Sequence, residues 1–422
     1  MQDKHILVIT SVYPITEDGR DGAFIRETVV RLQPTGAKFS IFAPAYEASP
    51  THQLDGCIVH RFRYSPKPWE NFVRDGAPSK LQKQPLYYIS AILYILLGTI
   101  QLFWVCGKTK PDVLHVNWPF PHGLMAWPAS KILRIPMVFT FHGTELLLAK
   151  KFGFVAHILR WLLPQASVAT ANSSFTQNLI QSLVQEGRRE ESLYSKFFKL
   201  FSRFGYFHRP ALVNIPVKVI PYGLTIEPKP SAKRPPEATP TLLFVGRLIE
   251  RKGLKYLLEA LPLVLKERSV KLRIAGKGDR EEYFKALCKS LNLNHQVEFL
   301  GFLSREALAQ EYANCDIFVF PSIVDSKGES EGLGIVAIEA LAHQKPVIAT
   351  ANGGIPDIII ANKTGLLVPE KDATALAQAI FELLANPQQA AIMGKAGLAH
   401  IQEHFSWEHI LPLWENAFEK RC

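Results

Sequence analysis

Ten short apolar runs, each followed by a stretch of helical character, recur along this chain of 422 residues and restrict it to an α/β fold. The runs at 5–10, 38–43, 112–117, 136–141 and 166–171, and then at 241–245, 271–275, 316–320, 345–350 and 366–368, read as buried strands. Strands alternating with helices in this way assemble parallel sheets. The length exceeds one ordinary hydrophobic core, so two domains are expected. The segment EPKPSAKRPPEATP, residues 227–240, is rich in proline and charge and continues neither element, as an interdomain linker would. The expected division is residues 1–222, residues 223–405 with the linker at about 227–240, and a final helix over 406–422 with Ser406 as its N-cap. Two Rossmann-like halves with parallel sheets facing across a cleft follow.

Composition narrows the classes. Hydrophobic residues make up 47% of the chain, which is globular. Cys57, Cys106, Cys288, Cys315 and Cys422 are scattered without a CxxC, so reduced thiols of a cytosolic protein are expected, with no structural zinc. The opening MQDKHILVITSVYP has too short an apolar run for a signal peptide and reads as a first strand. The uncharged run from Leu86 to Cys106 is long enough to span a membrane. Polar Ser90, Thr99 and Gln101, the glycine at 98, and the buried strand that follows make a core helix packed on a sheet the expectation. The net charge of +10 is unevenly placed: residues 1–222 hold 25 Lys and Arg against 14 Asp and Glu, and the remainder holds 23 against 24. No helix-turn-helix, finger or RNA-binding pattern accompanies the excess, which argues against nucleic acid. An anionic membrane surface or a phosphate-bearing acceptor accounts for it better.

The chemistry-bearing block is EGLGIVAIEALAHQKPVIATANGG, Glu331–Gly354. A strand ended by Pro321, a helix from about Gly334 to His343 and a strand at 345–350 form a βαβ unit, and the loop at the first strand's carboxyl end is the usual ligand position. The N–H groups of Gly332, Leu333 and Gly334 can hold an anion at that helix start. Glu331 would face the ligand and Glu339 reach a second part of it; carboxylates beside an anion suit hydroxyls, as on a sugar or ribose. GRLIERKG, residues 246–253, follows another strand and brings Arg247 and Lys252 to the same end, a fork and a point charge for a diphosphate. AGKGDREE begins a GxGxxG, but Glu281 occupies the sixth position, which argues against a dinucleotide dehydrogenase. In the first half, Gly22 sits at a helix start after the first strand, and MVFTFHGTE ends a buried strand at His142 and Gly143. His115 reads as strand packing.

These motifs resemble closely the signature of the retaining nucleotide-sugar glycosyltransferases of family 4, which have the two-domain GT-B fold, over nearly the full chain. The resemblance implies that Glu339 holds the ribose and that Arg247 and Lys252 neutralise the leaving diphosphate. It further implies that Gly332, Leu333, Gly334 and Ile335 contact the phosphate and sugar through their backbone, with Gly22 meeting the diphosphate from the other domain. His142 and Glu331 would serve the catalytic step at the transferred sugar. Phe302, within VEFLGFLS at 297–304, would lie in the nucleobase region, and the last helix would cross back to the first domain. Asn117 stands where another histidine is frequent; the PxG turn at 221–223 lacks its usual aspartate, and Asp357 replaces a commoner glutamate. No acidic DxD pattern occurs in a suitable loop, so neither a divalent metal nor a cofactor is expected. The donor would be a UDP-sugar or GDP-sugar, and the acceptor a glycan or lipid-linked glycan of envelope or exopolysaccharide assembly. Retention by front-face return or through a covalent carboxylate both remain open, with no second well-placed acid near His142 to favour the latter. A sugar-nucleotide epimerase and a catalytically silent binding subunit are the alternatives.

One insert stands apart from the resemblance. Over residues 192–209 a helical projection gathers Leu193, Tyr194, Phe197, Phe198, Leu200, Phe201 and Phe204 on one arc and Lys196, Lys199 and Arg203 on the other. A basic amphipathic helix of this kind suits a membrane interface. Phe197, Phe198, Phe201, Lys196, Lys199 and Arg203 are therefore candidate membrane contacts, with the aromatic and basic stretch 62–83 beside them. Peripheral attachment at the inner face of the membrane is the corresponding expectation.

Overall fold

The computed structural model describes residues 1–17, 19, 21–46, 49–66, 70, 86–198, 216–225 and 238–419, with backbone only for 86–88 and 188–198. Its contacts divide the chain into two compact units, Met1–Gly223 with the residues from Ile410 onward, and Leu224–His409.

The first domain is an eight-stranded sheet in the order β3-β4-β2-β1-β5-β6-β7-β8. These strands are β1 (His5–Ile9), β2 (Lys38–Pro44), β3 (His52–Leu54), β4 (Cys57–Phe62), β5 (Val113–Asn117), β6 (Met137–Phe141), β7 (Val168–Ala171) and β8 (Val217–Val219). Every pairing is parallel except β3 with β4. That exception is a hairpin turned at Asp55 and Gly56, both at positive φ, which an Asp-Gly pair accommodates. The buried parallel strands are almost wholly apolar because helices cover both of their faces. The helices are α1 (Ala23–Leu32), α2 (Leu86–Thr109), α3 (Pro119–Leu133), α4 (Thr144–Lys151), α5 (Gly153–Leu162) and α6 (Ser174–Phe198). The chain switches from one side of β1 to the other between β2 and β5, so the carboxyl ends of β1 and β5 flank the topological switch point.

The second domain repeats the plan with six parallel strands in the order β11-β10-β9-β12-β13-β14. They are β9 (Thr241–Val245), β10 (Lys271–Ala275), β11 (Val297–Gly301), β12 (Ile317–Phe320), β13 (Val347–Thr350) and β14 (Gly365–Val368). Its switch point lies between β9 and β12. Helices α7 (Leu254–Leu265), α8 (Glu281–Ser290), α9 (Arg305–Asn314), α10 (Ile335–Ala342), α11 (Ile355–Ile358), α12 (Ala373–Ala385) and α13 (Pro387–Phe405) connect and cover these strands. The last helix, α14 (Trp407–Glu419), carries Trp414 and Phe418 into the first domain's core, where both rings lie about 5 Å from His115.

Helix α2 departs from the expected core helix. Tyr94, Leu102, Val105 and Cys106 are buried against the domain, but Ile89, Ile92, Leu96, Ile100 and Trp104 are exposed. Gly98 fits the buried face because a Cβ there would come 2.3 Å from Met125 of α3. The core therefore takes one face of the helix and leaves an equally apolar face outside. Residues 226–237, which include most of the expected linker, and the side chains of the candidate membrane contacts Lys196, Phe197, Phe198, Lys199, Phe201 and Arg203 lie outside the described residues; backbone helix is described as far as Phe198.

Candidate active site

In the second domain, the loops at the carboxyl ends of β9, β10, β11 and β12 are tied to one another through backbone. Gly246 N–H donates to Ala275, Gly276 N–H to Gly301, Leu248 N–H to Lys277 and Ile323 N–H to Arg251, all at 2.8–3.0 Å. Glycine is required where these loops touch: Gly253 has φ +66, and a Cβ there would sit 1.8 Å from the Pro321 carbonyl oxygen. The packing brings Lys252, after β9, to Glu331, after β12. The ammonium lies 2.5 Å from Glu331 Oε2, with each side chain only 13% exposed. Lys252 also stands 5.0 Å above the Phe320 ring. Burial pushes the Glu331 carboxyl up, but the Lys252 ammonium, with Arg251 and Arg247 behind it, carries it below its ordinary value. Glu331 is thus ionised at neutral pH, and the pair is fixed across the switch point.

Around this pair the structure places the other sequence-predicted residues. Gly334, at φ +98, caps α10, so the helix starts beside Glu331 and directs its free N–H groups to the same end of the sheet. Gly332, Leu333 and Ile335 belong to the same turn. Gly353 and Gly354 fold back on it: Gly354 N–H donates to Glu331 O at 3.1 Å, and a Cβ at Gly353 would lie 1.9 Å from that same oxygen. Arg247 is exposed and, among the described residues, has no carboxylate in salt-bridge range. Glu339, one helical stretch on, accepts a hydrogen bond from the buried Tyr312 hydroxyl at 2.8 Å. Burial raises its carboxyl, and the Tyr312 bond offsets part of that rise. Phe302 is 61% exposed, just after β11.

In the first domain, Gly22 is the left-handed N-cap of α1, and a Cβ there would come 2.6 Å from the Val12 carbonyl oxygen, so the loop after β1 folds tightly under the helix start. His142 follows β6 and is nearly buried among Trp118, Phe24 and Tyr222, whose ring centroids lie 4.2, 5.4 and 5.9 Å away. Its Nε2 lies 2.9 Å from Asn117 Oδ1, and its Nδ1 lies 2.7 Å from the Tyr222 hydroxyl. A carboxamide oxygen only accepts, so Nε2 carries the proton and Nδ1 accepts from Tyr222. The chain of bonds runs one way: Thr176 Oγ1 donates to Asn172 Oδ1 at 2.7 Å, and Asn172 Nδ2 to the Tyr222 oxygen at 3.1 Å. Burial first, and then the neighbouring His115 and His122, push His142 down to about 3, so it is neutral. Its backbone N–H donates to Glu145 Oε1 at 3.0 Å, and burial pushes the Glu145 carboxyl up to about 7.

His115 bonds Thr140 Oγ1 at 2.8 Å and packs on Trp414 and Phe418. Sequence reasoning missed Asn117 as a partner, Tyr222, Asn172 and Glu145. The buried His122, which bonds Asn117 O at 2.7 Å and the Tyr94 hydroxyl at 2.9 Å, was missed too. The only available signal was the repeated ending of strands in polar residues, at Asn117, His142 and Asn172. Among the described residues no three His, Cys, Asp or Glu side chains converge as a metal site would require.

Two doubly wound domains, each with glycine-bounded loops and polar groups at its switch point, define a tandem Rossmann-like protein. Residues 226–400 match the model of glycosyl transferases group 1, and residues 22–188 match that of glycosyltransferase family 4. With a matching model on each domain, the chain belongs to the family 4 glycosyltransferases of GT-B fold. It is 25% identical over 362 residues to N-acetyl-alpha-D-glucosaminyl L-malate synthase of Bacillus anthracis, covering 82% of this chain and 88% of that protein. Over 174 residues it is 38% identical to the GDP-mannose-dependent monoacylated alpha-(1-6)-phosphatidylinositol monomannoside mannosyltransferase of Corynebacterium glutamicum, 41% of this chain and 45% of that one. In such shorter, stronger matches the chain spans less than half the length of the relative. Sucrose-phosphate synthase from Thermosynechococcus elongatus shares the fold over 98% of both chains, with a TM-score of 0.71 and 22% identity.

Proposed function

We propose that this glycosyltransferase moves a sugar, with retention and without a metal ion, from a nucleotide-diphospho-sugar to a hydroxyl of a lipid-linked glycan acceptor. The observation that carries the reading is the dry Lys252–Glu331 pair, set between exposed Arg247 and the start of α10. Bond cleavage at the anomeric carbon leaves an electron pair on the β-phosphate oxygen. Lys252 and the N–H groups of residues 332–335 are held where that charge grows, and the exposed Arg247, which also acts on Glu331, adds its guanidinium. Glu331, held ionised by Lys252, faces the sugar. Glu339, with one oxygen on Tyr312, offers the other to the ribose hydroxyls. Phe302 lies by the nucleobase.

His142 is neutral and both its ring nitrogens are engaged, so it is not the proton acceptor. Glu145, the nearest carboxyl to it, is buried and bonded to backbone, which favours front-face return over a covalent intermediate. In that route the acceptor oxygen bonds to the anomeric carbon as the phosphate leaves, and the acceptor proton passes to the departing phosphate oxygen. The lipid-linked acceptor and the nucleotide donor draw on the mannosyltransferase relative, whose name specifies GDP-mannose and a phosphatidylinositol mannoside. The test is to incubate the protein with GDP-mannose, UDP-glucose and UDP-N-acetylglucosamine, with EDTA, in the presence of extracted envelope lipids. Nuclear magnetic resonance of the product should show the donor's anomeric configuration. Transfer to free L-malate with none to lipid would contradict the acceptor assignment, and an inverted product would contradict the mechanism.

A further inference from the structure

The outer face of α2 is an exposed apolar strip along a helix of 24 residues. Ile89, Ile92, Leu96, Ile100 and Trp104 follow one another along this face at helical spacing, and Ile100 and Trp104 are 66% and 64% exposed. A contiguous apolar strip on the surface marks a site of contact. The helix is one that length and composition would allow to cross a bilayer, but its other face is fixed in the domain by Tyr94, Gly98, Leu102 and Val105. It can lie on a membrane and cannot traverse one.

Charge identifies the occupant. Neither α2 nor α3 contains an acidic residue. The two helices pack side by side and lead into the neighbouring parallel strands β5 and β6, so their carboxyl ends share one edge of the domain. That edge carries exposed Lys108, Lys110, Lys131 and Arg134, with exposed Ile132 between the last two. Lys108 lies 5.2 Å over the Trp104 ring. An indole with a lysine at the end of an apolar strip is the arrangement that suits the headgroup boundary, where the ring is half-wet and the ammonium reaches phosphate. A second copy of the chain is a poorer occupant, because neither α2 nor α3 holds an acidic residue and a twofold copy would bring no carboxylate on these helices to meet the basic edge.

We infer that the outer face of α2, with the carboxyl end of α3, is the surface by which the first domain rests on an anionic bilayer. The apolar strip enters the headgroup–acyl boundary, and Lys108, Lys110, Lys131 and Arg134 meet lipid phosphates. This deepens the proposed action on a lipid-linked acceptor and rests on that reading only for its purpose, since the contact stands on its own geometry.

The test is flotation of the full chain with vesicles of phosphatidylcholine alone or mixed with phosphatidylglycerol. Wild type should bind the mixed vesicles and not the neutral ones. The double variants Ile92→Glu with Ile100→Glu, and Lys131→Glu with Arg134→Glu, should each weaken that binding about tenfold or more. Thermal melting and nucleotide binding without vesicles should match wild type in both. Unchanged vesicle binding by the α2 variant would overturn the assignment. So would loss only in a Phe197→Glu, Phe201→Glu variant, or a wild-type dimer that the α2 variant converts to monomer. Nucleotide binding without any vesicle binding overturns this inference and leaves the proposed function standing; the reverse pattern does the opposite.

Discussion

Lys252 and Glu331 are each other's condition for burial. An ammonium and a carboxylate removed from water are tolerated only together, and removing one strands the other. Lys252→Ala should therefore lower the second domain's stability by roughly 3–5 kcal/mol in urea denaturation. Because Glu331 titrates below its ordinary value, its stabilising share is present above about 4.5 and is lost as the pH falls through the folded value. Glu145 has the opposite sign. With its carboxyl raised from 4.5 to about 7, its share is full below 4.5 and is lost as pH rises through 7. Glu145→Gln should flatten the decline in unfolding free energy between those values, read from urea melts at a series of pH values. A decline unchanged in that variant would show that Glu145 is not the group responsible. That Arg247, Lys252 and Glu331 gather at one end of the second domain's sheet was legible, because they lie in short motifs that flank strands; the Lys252–Glu331 ion pair and the Tyr312 bond to Glu339 were not. The Asn117–His142–Tyr222–Asn172 chain was not, since its members come from four separate loops and only the sheet brings them together.

At the scale of elements, ten strands could be read directly because a strand buried on both faces is a continuous apolar run, whereas the parallel β8 and β11, only partly buried, were not among them. The β3–β4 hairpin was missed: β4 alternates buried and exposed residues, and the Asp55–Gly56 turn that marks it was passed over. Helix α2 was half-read, since composition shows that a run is apolar but not which of its faces the core takes. The glycines separate geometry from convenience. Gly353 has φ +56 and no room for a Cβ, so Gly353→Ala should cost several kcal/mol and disturb the Glu331 loop. Gly107, near the end of α2, would have nothing within 4 Å of an added Cβ, and Gly107→Ala should be neutral or stabilise by up to about 1 kcal/mol. Differential scanning of the two variants checks both, and equal destabilisation would contradict the account of the loop.

At the scale of the molecule, the two domains share a topology and differ in charge. The excess of Lys and Arg over Asp and Glu lies in the first half of the sequence, where the apolar face of α2 also lies, while Arg247 and Lys252 sit in the nearly neutral second half. The last helix ties the chain's end to its beginning: Trp414 is 6% exposed within the first domain, so Trp414→Ala should destabilise that domain by roughly 3–5 kcal/mol in chemical denaturation. The proposed function requires the switch point of the second domain to bind a nucleoside diphosphate through its cations. Arg247 tests it most cleanly, because it is exposed and has no salt-bridge partner among the described residues, so its loss leaves the packing untouched. Titrate GDP and UDP calorimetrically into wild type and Arg247→Ala, both in EDTA. Wild type should bind at least one of the two nucleotides, and the variant should bind it roughly ten- to hundredfold more weakly at unchanged melting temperature. Equal binding by the two proteins, or no binding by a folded wild type, would contradict it.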